Sequence, residues 1–444
     1  MTVEARWPLP IGWEWTSIGA IADVIGGGTP STNDPLNFSD DGGIPWVTPA
    51  DLTGFESTYI TRGRRNLSGR GYERSSAKLL PAGAVLFTSR APIGYCVIAA
   101  NPIATNQGFK SLTLFGGISA EFTRHYLKWS KPYLESLASG TTFLELSGAK
   151  LQQAPFPLPP VAEQKRIVAK LDALNAKSAR ARTELARIVT LVSRYKQAVL
   201  SKAFSGEELS RKVLGDLAVR IKAGKNLRCE ERPPQPGEKG VVKVSAVTWG
   251  EFRADQSKTL PPNFEPDEDT RIRSGDFLFS RANTIELVGA VVIVAEAPDN
   301  LYLSDKVLRL EFKEPVDAWL LWYLRSPMGR EALMNISSGN QLSMRNIGQK
   351  NLLSLSIPYG DAELRTEIVR RIESAFAKID RLAKEAKRAL ELVGNLDEAI
   401  LAKAFRGELV PQDENDEPAE LLLERIRAER EKAPKPKRGR GAKR

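Results

Sequence analysis

The sequence predicts an α+β chain in which two mixed α/β domains are each followed by one long helix, as a tandem repeat. Three observations support this fold class. Apolar residues recur at intervals of three and four in the stretches 159–204 and 360–405, which is the pattern of a coiled-coil seam. Adding 201 to each position of the first pattern gives a position in the second, and the residues at both are apolar or small. The segment before each stretch contains short apolar runs bounded by glycine, proline and polar residues, which is typical of strands.

The two long helices are predicted to pack along their repeated apolar positions. A helix of about 40 residues is roughly 60 Å long, so each helix is expected to act as a spacer. The predicted seam contains Ile167, Leu171, Leu174, Leu185, Ile188 and Val192 in the first helix, and Ile368, Ile372, Ile379, Leu382, Val393 and Leu396 in the second.

A proline-rich run, the internal repeat and changes in composition predict five segments. Residues 1–158 form the first domain, and the proline-rich run 155–160 separates it from the central long helix at 159–210. Residues 211–357 repeat the plan of the first domain, and 358–409 contain the distal long helix. Residues 410–444 are charged, with a basic low-complexity end, so this tail is predicted to be disordered.

Composition limits the class of protein. The chain has 444 residues, 42% of them hydrophobic, and a net charge of +10, which favours an anionic partner without requiring one. No apolar run is long enough to span a membrane, and residues 1–15 do not show the basic and apolar pattern of a secretory leader, so neither feature is expected. The two cysteines lie in unrelated contexts, so no disulfide is predicted and a cytoplasmic location is expected.

No catalytic residues, metal ligands or bound cofactor are predicted for this chain. The single histidine, His125, lies inside a predicted helix and is expected to be structural. The glycine-rich segments 26–29 and 223–226 lack the spacing of a phosphate-binding loop, and no metal-ligand spacing occurs. Glu163 and Asp172 are expected to be solvated or interhelical carboxylates rather than an acid/base pair.

Polar residues in the loops of both domains are the candidate DNA-binding residues. Arg, Lys, Asn and Gln suit base edges, whereas Ser, Thr and Lys suit phosphates; each residue can also be an ordinary exposed side chain. Arg90 and Arg281 stand out because both follow an apolar strand, although either can instead pair internally. The candidates are Thr29, Ser31, Thr48, Arg62, Arg64, Arg65, Arg90, Gln107, Lys110 and Thr142 in the first domain, and Lys222, Lys225, Asn226, Lys243, Lys258, Arg281, Asn283, Lys306, Gln341 and Arg345 in the second.

Three phrases give the repeat plan a family resemblance. They are Leu9–Trp15 near the start, Leu158–Val168 at the beginning of the first helix, and the Lys-Ala-Phe-x-Gly-Glu runs at 202–207 and 403–408. In this order the chain resembles the specificity (S) subunit of Type I restriction–modification systems. Residues 361–369 depart from the Pro-x-x-Glu-Gln-x-x-Ile phrase that begins the first helix.

The resemblance implies two target recognition domains that each read one half of a bipartite DNA site. They would be separated by two long helices paired as an antiparallel coiled coil, which gives a pseudo-twofold tandem repeat. Such a subunit is not an enzyme. It assembles with two modification (methyltransferase) subunits, which methylate adenine N6, and with restriction (translocase/endonuclease) subunits; S-adenosylmethionine, ATP and Mg belong to these partners. The residues alone also allow a coiled-coil scaffold that holds two protein-binding domains.

Overall fold

The computed structural model describes residues 6–40, 42–90, 92–140, 144–341 and 344–432. The chain divides into two compact units. The first contains Met1–Thr183 and Leu390–Arg444, and the second contains Glu184–Ala389. Each unit therefore holds one globular domain and one segment from each long helix, and the division runs through the helices rather than at their ends.

The first domain contains short strands and helices, and the first long helix follows it. The strands are β1 (Glu14–Ser17), β2 (Ala22–Gly26), β3 (Phe38–Ser39), β4 (Ile44–Val47), β5 (Tyr59–Ile60), β6 (Asn66–Leu67), β7 (Val85–Phe87), β8 (Cys96–Ala99), β9 (Ala104–Thr105), β10 (Lys110–Leu114) and β11 (Pro155–Leu158). The helices are α1 (Ile18–Ile21), α2 (Gly69–Glu73), α3 (Ala120–Trp129), α4 (Lys131–Ser136), α5 (Gly148–Gln153) and the long α6 (Val161–Ala203).

The second domain follows the same plan, and the second long helix follows it. Its strands are β12 (Ser210–Val213), β13 (Ala218–Ala223), β14 (Gly240–Val242), β15 (Ser257–Thr259), β16 (Phe277–Ser280), β17 (Ala282–Asn283), β18 (Val291–Ile293), β19 (Leu301–Tyr302), β20 (Val307–Phe312), β21 (Ser338–Gln341), β22 (Met344–Asn346) and β23 (Ser356–Tyr359). Its helices are α7 (Leu214–Leu217), α8 (Ser245–Thr248), α9 (Asp317–Arg325), α10 (Pro327–Ile336) and α11 (Gln349–Leu353), followed by α12 (Ala362–Arg406) and α13 (Ala419–Lys432).

Corresponding sheets organise both domains. The main sheet of the first domain has the strand order β2-β10-β7-β8-β5, and that of the second has the order β13-β20-β16-β18. In each, the central strand is fully buried, as the apolar runs Val85–Phe87 and Phe277–Ser280 predict. The pairs β1–β11 and β12–β23 tie the beginning of each domain to its end, with Ser17 opposite Pro155 and Val213 opposite Ser356.

The predicted helix that contains His125 is interrupted in the structure. It consists of α3 and α4, which meet at Ser130. Pro132 lies in the first turn of α4, where its missing N–H costs no intrahelical hydrogen bond. Proline therefore starts a second helix here instead of continuing the first.

The core of the first unit joins the first domain to both long helices. Phe405, near the end of α12, lies edge-on to Phe122 and Tyr126 on α3, with ring-centroid distances of 5.4 and 5.3 Å. Ile167 and Leu171 on α6 belong to the same buried cluster. Burial of each such side chain contributes about 1.5–3 kcal/mol. The first domain consequently depends on residues from the far end of the chain.

The core of the second unit is built in the same way. Phe204, at the end of α6, packs against Trp319 and Tyr323 on α9, with centroid distances of 4.9 and 5.5 Å. Ile368 and Ile372, near the start of α12, complete this cluster. The phenylalanine of each Lys-Ala-Phe-x-Gly-Glu phrase thus anchors a helix end in a domain core.

The long helices pack antiparallel within each unit, which confirms the predicted fold class. In the first unit Arg182 on α6 lies 2.6 Å from Asp397 on α12, whereas Arg166, earlier on α6, pairs with Asp416 beyond the end of α12. In the second unit Lys196 lies 2.6 Å from Asp380. Salt bridges thus cross both segments of the helix pair.

The predicted seam is wrong at three positions. Ile188, Leu382 and Leu396 are 39%, 56% and 54% exposed, whereas Ser178 and Ala386 are buried. An α-helix has 3.6 residues per turn, so a seam extrapolated at 3.5 drifts by about 20° per heptad. Large apolar residues leave the interface as a result, and small ones let the helices approach closely.

The tail also differs from the prediction of disorder. Residues 410–432 are part of the first unit, and α13 buries Ala419, Leu422, Leu423 and Ile426 in its core. Its apolar residues recur at helical spacing, but its many charged residues hide this pattern in the overall composition. The basic residues 433–444 lie outside the described part of the chain.

Candidate nucleic-acid interface

A glycine-rich loop follows β2 and carries the first candidates. A Cβ on Gly27 would lie 2.1 Å from the carbonyl oxygen of Asn106, and one on Gly28 would lie 2.2 Å from a neighbouring backbone nitrogen. Only glycine permits this close approach. The next residue, Thr29, is hydrogen-bonded to Gln107. The glycines therefore serve backbone packing, and they bring two candidate residues together.

The second domain has a corresponding close approach after β13. A Cβ on Gly224 would lie 1.7 Å from the carbonyl oxygen of Leu303, and the Gly224 N–H donates to the carbonyl of Ser304 at 3.1 Å. Lys225 and Asn226 follow immediately, and both are exposed. The same loop thus presents candidate residues in both domains.

Asp51 holds several first-domain candidates in place. It accepts hydrogen bonds from the backbone and hydroxyl of Thr48 at 2.8 and 2.7 Å, and from the guanidinium of Arg64 at 3.1 Å. Burial acts to raise the pKa of Asp51, but these hydrogen bonds outweigh it and leave that pKa lowered. The guanidinium of Arg65 stacks 4.4 Å from the ring centre of Phe38. Thr48, Arg64 and Arg65 therefore already have partners inside the domain.

Arg90 and Lys110 approach one carboxylate at the edge of the first domain. Their nitrogen atoms lie 3.9 and 3.5 Å from Glu145. Both pairs are partly exposed, so each contributes little to stability and can exchange Glu145 for another anion. Thr142, the remaining candidate nearby, lies outside the described residues.

Three second-domain lysines are paired with carboxylates. Lys222 lies 2.6 Å from Asp269, Lys243 lies 3.8 Å from Glu231, and Lys258 also pairs with Glu231. A lysine bound in this way must give up its partner before it can bind a phosphate. Lys225 has no such pairing among the described residues and lies 5.9 Å from the ring centre of Phe264.

The remaining second-domain candidates lie beside the central strand β16. Arg281 donates to the side-chain oxygen of Asn346 at 3.3 Å, and Asn283 donates to Thr248 at 3.3 Å. Lys306 is exposed beside Asp305, with which it pairs at 2.9 Å.

Arg345 has a structural role in the strand pair β21–β22. Its guanidinium donates to the backbone carbonyls of Ser337 and Gly339 at 2.6 and 2.7 Å. Gln341, in the same hairpin, is exposed.

Arg90 and Arg281, which both follow an apolar strand, do not lie at corresponding positions of the two domains. The Leu146 N–H donates to the carbonyl of Ser89, and the Ile347 N–H donates to the carbonyl of Arg281, both at 2.8 Å. Ser89 therefore corresponds to Arg281, and Arg90 lies one residue further on. Strand pairing, rather than residue type, sets this register.

Among the described residues, four candidates are exposed and make no side-chain hydrogen bond, salt bridge or contact with an aromatic ring. They are Ser31, Arg62, Asn226 and Gln341. With Lys225 and Gln107, they are the candidates most available to a ligand.

Glu163 and Gln164 make structural contacts that the sequence did not reveal. Glu163, expected to be a solvated or interhelical carboxylate, is 1% exposed and accepts hydrogen bonds from Trp13 and Gln412, both at 2.8 Å. Gln164 accepts from the Ser119 N–H at 2.9 Å. Burial raises the pKa of Glu163, although its hydrogen-bond donors oppose the shift. The Glu-Gln phrase thus docks α6 onto its own domain.

The second helix begins with different contacts. Arg365 takes the position of Gln164 in the repeat, is buried, and donates to the Gly360 carbonyl at 3.0 Å and to Glu314 at 2.9 Å. Leu364 takes the position of Glu163. The altered phrase therefore docks α12 through an arginine–carboxylate pair instead of a buried glutamate.

The single histidine, expected to be structural, packs between two helices. His125 is buried on α3, and its Nε2 lies 3.3 Å from Asp172 on α6. Burial lowers the pKa of His125, with Arg124 adding to the effect.

No cluster of three or more potential metal-binding side chains occurs within the described ranges. In this part of the chain no helix is long and apolar enough to cross a membrane.

Comparison with known proteins identifies the family. Residues 10–188 match the model of the Type I restriction modification DNA specificity domain. The EcoBI specificity subunit of Escherichia coli is 30% identical over 344 residues, which cover 70% of this chain and 71% of that subunit. The chain belongs to the Type I restriction enzyme specificity subunits. The EcoKI specificity subunit of E. coli K12 is 28% identical over 454 residues, covering 95% and 96% of the two chains.

Solved structures of specificity subunits share the fold. The HsdS subunit from Thermoanaerobacter tengcongensis has a TM-score of 0.64 at 21% identity, covering 91% of this chain and all of that chain. A chain from a study of complex assembly and conformational transition in a type I R-M system has a TM-score of 0.69 at 20% identity, with the same coverage. The predicted family, fold class and function are confirmed: this is a non-catalytic DNA specificity subunit.

Proposed function

We propose that this specificity subunit reads a bipartite DNA site, with one half-site bound by each globular domain. The observation that supports this division is that each compact unit contains its own domain, core and segment of the helix pair. Two similar readers in one chain match the twofold backbone of duplex DNA, and independent loops allow two different half-sites.

In this proposal the loops after β2 and β13 lie closest to the DNA. Gln107 and Arg62 in the first domain, and Lys225, Asn226 and Gln341 in the second, have the side-chain chemistry for base edges and phosphates and are exposed. The candidates held by internal carboxylates instead shape the loops. Asp51, Glu231 and Asp269 thus act as positioning residues for the binding surface.

The long helices would set the distance between half-sites and dock the partner subunits. They contain 43 and 45 residues, so each is about 65 Å long. The exposed Ile188, Leu382 and Leu396 offer apolar surface to two modification subunits. S-adenosylmethionine would belong to those subunits, and ATP and Mg to the restriction subunits, in a cytoplasmic complex.

The direct test is reconstitution with the cognate modification subunits. A methylome of the source organism would supply the bipartite methyladenine motif, and footprinting of the purified complex should show protection in two separated blocks. Affinity should fall steeply with salt, because phosphate contacts release counterions. Protection of one continuous block, or absence of a complex, would refute the proposal.

A further inference from the structure

Each domain has a hairpin beside its central strand, closed by the pair Ser139–Glu145 in the first domain and Ser338–Asn346 in the second, and each hairpin contains an exposed apolar side chain. Within the hairpins 139–145 and 338–346, residues 141–143 and 342–343 lie outside the described part of the chain. Leu144 is 49% exposed and Met344 is 73% exposed. Single exposed apolar residues are common on protein surfaces, so the argument depends on the surroundings that the two share.

The two hairpins are the same element of the repeat. Each is followed by a fully buried residue, Leu146 or Ile347, whose N–H bonds to the end of the central strand at 2.8 Å. The second residue of each hairpin is a glycine with an unusual positive φ, 134° at Gly140 and 136° at Gly339.

Met344 belongs to a braced hairpin rather than a free loop. The guanidinium of Arg345 holds the backbone carbonyls of Ser337 and Gly339, and its Nε donates to the Ser337 hydroxyl at 3.1 Å. Met344 is paired with Gln341 across the hairpin. These bonds limit the entropy that Met344 would lose on binding.

Cations approach one end of the hairpin in both domains. Arg90 and Lys110 lie within 3.9 Å of Glu145, next to Leu144. In the second domain Arg281 bonds to Asn346, two residues after Met344. An apolar side chain near a cation complements a DNA groove, where base edges lie beside a row of phosphates. An apolar pocket in a protein partner would have no need of the cations.

We propose that Leu144 and Met344 contact bases in the two half-sites, while the neighbouring cations bind phosphates. This inference rests on the proposed function, because it specifies how each domain reads its half-site. The shared chemistry is apolar contact with a base. The contact is either with the C5-methyl group of thymine, or with base faces that the side chain partly unstacks.

The test compares Met344→Ala with Val219→Ala, and Leu144→Ala with Leu79→Ala. Both controls remove exposed apolar side chains from the same domains, away from the hairpins. Binding is measured for the complex with modification subunits, on duplexes that carry either the cognate motif or an unrelated sequence. Each hairpin variant should bind the cognate duplex about tenfold more weakly, with unchanged binding to unrelated DNA and an unchanged salt slope.

Two modified duplexes identify the contact. If a thymine methyl is bound, deoxyuridine in place of thymine should weaken the wild type and leave Met344→Ala or Leu144→Ala unaffected. If the side chain unstacks bases, the fluorescence of 2-aminopurine in the half-site should increase when the wild type binds and should not increase when the alanine variant binds.

Three results would overturn the inference: hairpin variants that match their controls, equal losses on cognate and unrelated DNA, or loss of modification-subunit assembly. If neither modified duplex shows its expected change with the wild type, a base contact is also excluded. A wild-type complex that protects no split site would instead refute the proposed function, and no hairpin variant is needed to detect that.

Discussion

Glu163 is a single side chain that connects three distant parts of the chain. It lies at the start of α6, accepts a hydrogen bond from Trp13 near the N-terminus, and accepts another from Gln412 beyond α12. The second repeat has Leu364 at the corresponding position. The glutamate therefore serves a contact that only the first unit makes.

Replacing Glu163→Leu should lower the free energy of unfolding by about 1–3 kcal/mol, because the buried Trp13 N–H would lose its acceptor. Urea denaturation of the purified subunit measures this change. Glu184→Leu is the matched control, since Glu184 is exposed on the same helix and should change stability by less than about 0.5 kcal/mol. Equal effects of the two substitutions would contradict a structural role for Glu163.

Glu163 should also make stability depend on pH. Burial raises its folded pKa above the ordinary value of 4.5, so its favourable contribution is complete below pH 4.5 and is lost as pH rises through the folded pKa. Relative to Glu163→Gln, the wild type should therefore lose stability as pH increases above 4.5. Denaturant midpoints of both proteins across this range test the sign, and a wild type that gains stability with pH would contradict it.

At the scale of elements, small residues determine how the long helices pack. Ala386 is 4% exposed within the second unit, whereas the larger Leu396 in the first unit is 54% exposed. Periodicity placed Leu396 in the seam because small and large apolar residues contribute to the pattern in the same way. Their exposure in the structure differs: the small Ala386 lies in the interface, and the large Leu396 is free to bind a partner.

Ala386→Leu should cost about 1–3 kcal/mol, because additional methylene groups must enter a packed interface. Leu396→Asp, on the exposed position, should leave the thermal midpoint nearly unchanged and should weaken assembly with modification subunits. Circular dichroism melting and gel filtration distinguish the two effects. A lower thermal midpoint for Leu396→Asp than for Ala386→Leu would show that Leu396 does pack in the seam.

The terminal helix α13 is part of the first domain. Ala419 donates its N–H to the Gly12 carbonyl at 2.9 Å, and Arg430 donates to the Gly19 carbonyl at 2.9 Å. Ile426 lies so close to Gly116 that a Cβ there would meet it at 2.7 Å. Both ends of the helix are thus attached to the domain.

Ile426→Asp should detach α13, because it would bury an unpaired charge. Faster hydrogen exchange is expected across α1 and residues 115–118, with exchange in the second unit unchanged. Arg427→Asp introduces the same carboxylate on the exposed face and should leave exchange as in the wild type. Protection that persists in Ile426→Asp would show that α13 is dispensable.

On the scale of the whole molecule, the two units should be separable in specificity. Exchange of residues 1–158 for the corresponding domain of another specificity subunit should change one half-site only, because the core of the second unit contains no residue from this range. The chimera should also carry the matching residues 410–432, since these pack into the first domain. A methylome in which both half-sites change would contradict independent reading.

The sequence by itself determined the tandem architecture and the family. Apolar periodicity, a constant offset of 201 and the Lys-Ala-Phe-x-Gly-Glu phrases are one-dimensional patterns, and they survive without knowledge of contacts. Tertiary structure alone decided which polar side chains are free. Lys258 and Asn226 are both loop candidates in the sequence, yet only Lys258 is held by a carboxylate.

The long helices show the same limit. Their existence follows from period and length, but burial of Glu163, exposure of Leu382 and docking of α13 depend on residues distant in sequence. The contact between Glu163 and Gln412 spans 249 positions. Side-chain burial is set by such long-range packing, which a local pattern cannot encode.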